Sequence, residues 1–341
     1  MQPERVHLVG SLALDTVEDV FRTCGRTLGR RLKRLPDGEP GGRRLWVSWQ
    51  IPVLRASPYL KPVSDAPVSL IPLELAAGVA PNEIHFGELG YCREARISYQ
   101  DFCAARDRGD VPKDVRFQVS LPTPLAVIMP FVRGDGMFPV LAAYETAMVR
   151  EAQAICAAIP HDDLSIQWDV CLEMVAWDGQ PSVAVPPIEN KERVLLPPLG
   201  RICDAIPNDV EVGIHLCYGD FDAKHFIDPI DAGKMVELAN AIAEVATHPL
   251  AWVHMPVPID RDDDEFFAPL RDLKLDSRTE VYLGLVHEDG VEATKRRIAA
   301  ASRHLPHFGI ATECGIARQR TNERVERLIR IHAEASVEPA A

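Results

Sequence analysis

Short runs of β-branched and apolar residues alternate along the chain with longer segments in which apolar residues recur every three or four positions. The short runs predict strands, and the longer segments predict amphipathic helices. Eight strands are predicted, at 6–11, 34–39, 116–121, 164–169, 211–217, 250–255, 281–286 and 308–314. The clearest helices are 139–159, 231–246 and 290–305.

Eight strands that alternate with helices over 341 residues predict an α/β protein built as one (β/α)8 barrel. The main alternative is a doubly wound sheet, but no G-x-G-x-x-G turn follows the first strand, so a dinucleotide site has no support. A segment rich in Pro, Trp and Ser, at about 40–82, is predicted to form a long excursion over the C-terminal mouth of the barrel. We expect a single domain over 1–334 and a frayed tail over 335–341.

Charge and cysteine content narrow the class of protein. The net charge of −13 argues against a nucleic-acid binder, which needs a concentrated basic surface. The chain has no run of about 18 apolar residues that would span a membrane, and its N-terminus lacks the features of a signal peptide. The eight cysteines are scattered, which suits a reducing compartment. We therefore expect a cytoplasmic protein that acts on a small molecule, without nucleic-acid or membrane partners; a homo-oligomer remains open.

Polar residues with metal-binding capacity stand at the ends of the predicted strands. In "GIHLCYGDF" (213–221), His215 and Cys217 are two positions apart and therefore point to the same face of a strand. In a (β/α)8 barrel the chemistry lies at the carboxyl ends of the strands. The other polar strand ends are Ser11, Asp37, Glu39, Asp169, His254, His287 and Cys314. Each is compatible with a satisfied buried polar group, but their concentration at matching places favours a site, and thiolate, imidazole and carboxylate are the ligands that zinc prefers.

Five of these segments resemble motifs of the cobalamin-independent methionine synthases, in their C-terminal catalytic barrel, and more broadly the uroporphyrinogen decarboxylase–methionine synthase-like superfamily. "IHLCYGDF" resembles the H-x-C-Y segment of that family, and "ATECGIARQR" resembles its D-C-G-L-K-x-R segment. Shorter matches are "IQWDVCLE" to I-Q-x-D-E-P, "LPDGEPGGR" to the H-G-E turn and "LVGSLAL" to I-G-S-F-P. The matches occur in the family's order and span residues 7 to 320.

The resemblance implies the family's fold, a zinc cofactor and specific roles. His215, Cys217 and Cys314 become zinc ligands. Asp169 and Glu39 become carboxylates that orient a thiol substrate.

Other residues are predicted to bind the substrate or to handle a proton. The resemblance implies that Ser11 lines the substrate carboxylate and that His287 is near the family's proton-handling histidine, where the adjacent acidic residues Glu288 and Asp289 would raise its pKa. Asp37 joins the predicted substrate-binding set. Trp46 and Trp49, in "RRLWVSWQ", either form an aromatic lid over the substrate or fasten the excursion to the rim of the barrel.

One departure from the family concerns the fourth zinc ligand. The family has a glutamate on the strand between those of the two cysteines, whereas here His254 stands roughly at that place; Met255 and the acidic stretch 260–267 are the competing candidates. Two thiolates and two imidazoles give a neutral zinc site, while the glutamate version carries one negative charge. A negative shell favours a nucleophilic thiolate, and a neutral shell favours Lewis-acid chemistry.

Three functions therefore remain open at this point. The first is a zinc-dependent methyl or alkyl transferase that activates a small thiol, favoured by the carboxylates. The second is a zinc-dependent lyase or hydrolase acting on a small hydroxylated or aromatic compound, favoured by His254 and the tryptophans. The third is a non-enzymatic barrel, which is disfavoured because a polar mouth with buried groups would be costly as scaffolding alone.

Overall fold

The structure is a computed structural model that describes residues 3–64, 71–182, 184–219 and 224–340. Part of the predicted excursion, residues 65–70, lies outside the described residues. The strands are β1 (Arg34–Pro36), β2 (Leu60–Pro62), β3 (Leu73–Leu75), β4 (Arg116–Pro122), β5 (Val132–Arg133), β6 (Leu164–Val170), β7 (Glu211–Leu216), β8 (Leu250–Pro256), β9 (Glu280–Gly284) and β10 (Gly309–Ile310).

The α-helices are α1 (Val17–Leu28), α2 (Ile51–Ala56), α3 (Tyr91–Asp107), α4 (Pro124–Phe131), α5 (Met137–Ala158), α6 (Leu172–Asp178), α7 (Lys191–Asp204), α8 (Gly233–Val245), α9 (Asp264–Phe267), α10 (Val291–Ala301) and α11 (Asn322–Ala335). Short 3-10 helices cover Gly29–Arg31, Gly41–Gln50, Pro81–Glu83, His161–Asp163 and Ala268–Asp272. In the described ranges no helix is both long and apolar enough to cross a lipid bilayer.

Seven parallel strands form a curled sheet in the order β1-β4-β6-β7-β8-β9-β10. Val6 makes parallel bridges to Leu32 beside one edge and to Ile310 at the other, so the N-terminal extended segment completes the ring. Every residue of β6 is buried, as is typical of parallel strands covered by helices. The predicted (β/α)8 barrel is confirmed.

The amino-terminal end of the barrel is filled by side chains. The guanidinium of Arg34 lies 4.1 Å from the ring centroid of Trp252 and pairs with Glu211 at 2.6 Å and Glu280 at 2.7 Å. A Cβ at Gly213 would lie 1.9 Å from the Trp252 ring, so only glycine leaves room for this indole. The other end of the barrel, where the strands finish, is left for a site.

The excursion reaches the carboxyl-terminal mouth, as predicted. Its first part is the 3-10 segment Gly41–Gln50 and α2, and its β2 and β3 form a small sheet with β5. Arg43 pairs with Asp37 at 2.8 Å, and Arg44 donates a hydrogen bond to the carbonyl of Leu14. These contacts hold the excursion against the ends of the first two barrel strands.

The segment after α11, where fraying is expected, contacts the N-terminal part of the chain. The Val337 N–H donates to the Pro3 carbonyl at 2.9 Å, and Arg30 donates to the Ala340 carbonyl at 2.7 Å.

Candidate metal centre

Three of the four predicted zinc ligands meet at the mouth of the barrel. One ligand atom each of His215, Cys217 and Cys314 lies within 4.8 Å of the others. The two sulfurs are 3.6 Å apart, and two sulfurs about 2.3 Å from a tetrahedral zinc ion would be about 3.8 Å apart. The donor set and this spacing therefore fit zinc.

The chain around Cys217 is shaped for this position. His215 lies in β7 and Cys217 follows it, so both side chains point inward. The Gly219 N–H donates to the Cys217 sulfur at 3.3 Å. Gly219 has φ +89°, and a Cβ there would lie 2.3 Å from the Phe226 ring. Glycine is thus required for a turn that returns a backbone donor to the sulfur.

The hydrogen bonds of two histidines determine which nitrogen of His215 faces the cluster. Burial lowers the pKa of His254 to about 3, so this ring is neutral near pH 7. Its Nε2 is 3.0 Å from the carbonyl oxygen of Thr312 and must donate to it. Its Nδ1 is therefore an acceptor, and it accepts from the His215 Nδ1–H at 2.7 Å.

This arrangement leaves the lone pair of His215 on Nε2, the nitrogen that metal ligation needs. Among the described residues that buried atom has no hydrogen-bond partner, and an orphaned acceptor of this kind is what a metal would satisfy. His254 itself lies outside the cluster because both of its ring nitrogens are engaged. These contacts favour a supporting role for His254, beside His215, over its predicted place as fourth ligand.

A third thiol, that of Cys171, borders the cluster and was not among the residues predicted from sequence. Cys171 follows β6, whose Val170 pairs with Leu216 and accepts a hydrogen bond from the Cys217 N–H at 3.1 Å. Cys171 is 1% exposed and lines the same small cavity as the three cluster residues. Its thiol, hydrogen-bonded to Cys217, raises the pKa of the Cys217 thiol. The only sequence signal was its place two residues after Asp169, on the same face.

The small cavity next to the cluster measures about 30 Å³. Beyond the cluster and Cys171 its polar and aromatic lining is Ser11, Glu39, Trp46, Asp169 and Arg318. Four of the predicted site residues therefore line one cavity with the metal cluster. Arg318, which lies in the motif around Cys314, joins them and had been given no role.

The two carboxyl groups of this cavity have raised pKa values. Burial raises the pKa of Glu39 to about 8, and the nearby Asp169 and Asp37 add to the effect. Burial raises the pKa of Asp169 to about 7, against hydrogen bonds from Gln167 and Trp46 that lower it. Arg318 lowers both values. Burial disfavours the charged form of both carboxyl groups, and a cation bound between them would stabilise that form.

Two of the predicted substrate-binding residues do not line this cavity. Asp37 accepts hydrogen bonds from Arg43, from the Ser98 hydroxyl at 2.6 Å and from the Glu39 N–H at 2.9 Å, so it shapes the turn behind Glu39. Trp49 stacks edge-on against Tyr91, with ring centroids 4.7 Å apart. Of the two tryptophan interpretations, the lid position fits Trp46 and the rim contact fits Trp49.

His287 lines a second, larger cavity of about 760 Å³, which is shared with His225 and Glu313. Its Nε2 is 2.9 Å from the Val257 carbonyl and donates to it, while its Nδ1 is 3.5 Å from Glu313 Oε2. Glu313 Oε1 lies 3.5 Å from His225 Nε2, so this carboxylate stands between two imidazoles. The position of Glu313 next to Cys314 was its only sequence signal.

The charge state of His287 differs from the expectation. Burial lowers its pKa to about 3, and the cation of Arg297 lowers it further. Asp289 is paired with Arg297 at 2.7 Å, and Glu288 is paired with Arg324 at 2.6 Å. Asp289 raises the pKa of His287, but burial and Arg297 outweigh this effect, so His287 is uncharged near pH 7.

The two cavities share part of their lining beside the metal cluster. Gly219, Cys314 and Gly315 line both of them. A Cβ at Gly315 would lie 2.3 Å from the Ser11 hydroxyl, so the last strand and the first approach closely here.

Comparison with known proteins adds the fold relationship. No protein-family model and no curated protein matches the sequence. Solved structures that match nearly the whole chain include a Listeria monocytogenes protein provisionally assigned as a vitamin B12-independent methionine synthase. Another is a B12-independent methionine synthase from Shewanella sp. W3-18-1 in complex with selenomethionine. The TM-scores are 0.61 and 0.62.

The chain has the fold of the B12-independent methionine synthases. The first structure is 16% identical, with 98% of each chain covered, and the second is 14% identical, with 98% and 97% covered. At this identity the likeness concerns the methionine synthase fold, and the chemistry has to be argued from the site.

Proposed function

We propose that the protein is a zinc-dependent transferase that moves a methyl or other alkyl group onto a small thiol. The observation that carries the proposal is the His215, Cys217 and Cys314 cluster, whose spacing fits zinc, next to a cavity with Asp169 and Glu39. Zinc held there would supply one element of the chemistry, a lowered pKa for a bound thiol and hence a thiolate nucleophile.

The residues of the small cavity support an amino-acid thiol such as homocysteine as the acceptor. Asp169 and Glu39 offer carboxyl groups to an ammonium group. Arg318 offers a guanidinium to a carboxylate, with the Ser11 hydroxyl in the same lining. The acceptor would be oriented by its two charged ends, which places its sulfur towards the cluster.

The larger cavity supports a separate place for the alkyl donor. It has room for a drug-sized molecule, whereas the small cavity does not. Because Gly219, Cys314 and Gly315 border both cavities, the thiol and the donor would approach the cluster from two adjoining cavities. Such positioning contributes to catalysis by fixing the reacting atoms in line.

His287 and Glu313 support proton handling on the donor side. The Val257 carbonyl holds Nε2–H, which leaves the lone pair of Nδ1 towards Glu313. A proton taken up at Nδ1 during turnover would be stabilised by the carboxylate and could pass to a leaving group.

A zinc-dependent lyase or hydrolase acting on a hydroxylated or aromatic compound is the second candidate. The indole of Trp46 in the small cavity favours it. The argument from a neutral zinc shell no longer supports it, because that shell required His254 as a ligand.

Elemental analysis of protein purified without chelator tests the metal centre. We expect about one zinc per chain, lost in Cys217→Ser and in Cys314→Ser but kept in the matched control Cys203→Ser, whose thiol is buried in α7 away from the site. Full zinc content in all three variants would reject the centre.

Cobalt substitution tests the reaction class. Homocysteine and other small thiols should change the thiolate-to-cobalt charge-transfer bands of a transferase. A response to hydroxylated aromatic compounds alone would favour the lyase or hydrolase and overturn the transferase proposal.

A further inference from the structure

We infer that Cys171 is the fourth protein ligand of the metal, so that the centre consists of one imidazole and three thiolates. The inference rests on the metal centre of the proposed function. This set of ligands takes the place of the set predicted from sequence, which has two imidazoles and two thiolates.

The register of two neighbouring strands places Cys171 at the cluster. Asp169 pairs with His215 and Val170 pairs with Leu216 across β6 and β7. The next residues, Cys171 and Cys217, therefore stand side by side where both strands end. Because side chains alternate along a strand, Asp169 and Cys171 share the inward face with His215 and Cys217.

Contact and burial support the assignment. The Cys171 thiol is hydrogen-bonded to the Cys217 thiol, and the Cys217 sulfur lies 3.6 Å from that of Cys314. Three sulfurs thus follow one another along the wall of a single cavity, beside the unpartnered Nε2 of His215.

The other possible fourth ligands in this part of the structure are less suited. Both ring nitrogens of His254 are engaged in hydrogen bonds, one to the Thr312 carbonyl and one to His215. Asp169 Oδ1 accepts from the Gln167 amide at 2.9 Å. The group of donor atoms within 4.8 Å of one another contains neither carboxyl of the small cavity nor Cys171. Among these candidates, however, it is the Cys171 thiol that is hydrogen-bonded to a member of the group, Cys217.

The charge of the resulting centre matches the proposed reaction. Zinc with three thiolates and a neutral imidazole carries one negative charge, as does zinc with two thiolates, one imidazole and one carboxylate. A negative shell leaves a zinc-bound thiolate more nucleophilic than a neutral shell would. With four protein ligands, a substrate thiol would join as a fifth ligand, an expansion that catalytic zinc sites sometimes show.

X-ray absorption at the zinc edge of the wild-type protein tests the inference without any variant that might misfold. We expect three sulfur ligands at about 2.3 Å and one nitrogen ligand at about 2.0–2.1 Å. Two sulfur ligands with two nitrogen or oxygen ligands would overturn the assignment of Cys171. Absence of zinc from the protein would instead reject the metal centre of the proposed function, so the two failures are distinguishable.

The variant Cys171→Ser gives a second readout. We expect its zinc affinity, measured by chelator competition, to fall by more than the roughly 10–100-fold that loss of an outer-shell contact costs. The intensity of the thiolate-to-cobalt bands should fall by about one third, since two of three thiolates remain. Cys203→Ser is the matched control, and identical affinity and band intensity in the two variants would overturn the inference.

Discussion

The Nδ1 atoms of His215 and His254 lie 2.7 Å apart, on directly paired residues of β7 and β8. Because the Thr312 carbonyl takes the only proton of the His254 ring, this short contact fixes the tautomer of His215. A backbone carbonyl thereby selects, through two imidazoles, the nitrogen that is available to a metal. Outer contacts of this kind tune metal sites in general.

Replacement of His254 by Leu should weaken zinc binding without removing a zinc ligand. We expect the affinity to fall by about 10–100-fold, the usual cost of losing an outer-shell partner, because His215 would no longer be held in one tautomer. Chelator competition measures this. His332→Leu removes another buried histidine and is the control; equal affinities in the two variants would contradict the supporting role.

Replacement of Glu39 by Gln should stabilise the protein in alkaline solution. The folded-state pKa of about 8 is raised above the ordinary value of 4.5, so the unfolded chain loses this proton first and stability declines as pH rises from about 4.5 to about 8. Gln keeps the shape without the titration. Urea unfolding at pH 8 should show a gain of about 1–3 kcal/mol, with allowance for the group's partial contact with solvent. A variant that is less stable than the wild type at pH 8 would show that burial does not disfavour the charged form of Glu39.

Trp46 should move when a thiol binds. A cavity of about 30 Å³ holds about two water molecules, at roughly 10–15 Å³ each, and is too small for an amino-acid thiol. Trp46 also has φ +51° and ψ −111°, a backbone conformation that costs about 1–3 kcal/mol, which makes it a suitable hinge. We expect a change in indole fluorescence on addition of homocysteine that Trp46→Phe abolishes and Trp49→Phe retains. The opposite pattern would assign the lid to Trp49.

Replacement of His287 by Gln should lower turnover and leave zinc in place. The Gln amide can still donate to the Val257 carbonyl, but it cannot take up a proton at the position of Nδ1. We expect turnover to fall by about 10²–10⁴-fold, as for other acid/base groups, with unchanged zinc content. Turnover near the wild-type rate would reject the role, and loss of zinc would mean that His287 is needed for the centre itself.

Buried His332 should make the protein sensitive to acid. Burial lowers its pKa to about 4 from 6.5, so its contribution to stability is complete above about pH 6.5 and is lost as pH falls towards 4. His332→Asn can keep a donor to the Leu328 carbonyl, which His332 contacts through Nδ1 at 2.8 Å. The decline in unfolding free energy between pH 6.5 and 4 should be smaller in the variant by on the order of 3 kcal/mol, since one pKa unit is worth about 1.4 kcal/mol. Equal declines would assign the acid sensitivity to other groups.

The barrel and the shared face of His215 and Cys217 could be predicted from sequence because both depend on short-range periodicity, and Cys314 was predicted from the resemblance of its segment to a family motif. Eight apolar runs predict eight strands, and the two-residue spacing of His215 and Cys217 predicts a shared face. The pairing of His254 with His215 could not be predicted from sequence, because the register between β7 and β8 shifts between Val212 and Gly213. That irregularity, where Gly213 makes room for the Trp252 ring, pairs His254 with His215 and turns its ring into the barrel.

Cys171 was overlooked for a related reason. The sequence shows only that it stands two residues after Asp169. The pairing of β6 with β7 is needed to show that it meets Cys217. Contacts between strands depend on register, which local pattern does not report.

The bridge from Val6 to Ile310 has a consequence for how the molecule is made. During synthesis the segment around Val6 leaves the ribosome about three hundred residues before Ile310, so one edge of the growing sheet stays open until Ile310 has emerged. The same late segment carries Cys314. A nascent chain can therefore neither close its ring nor bring together His215, Cys217 and Cys314 before residue 314 has been translated. Metal loading would then coincide with closure of the ring.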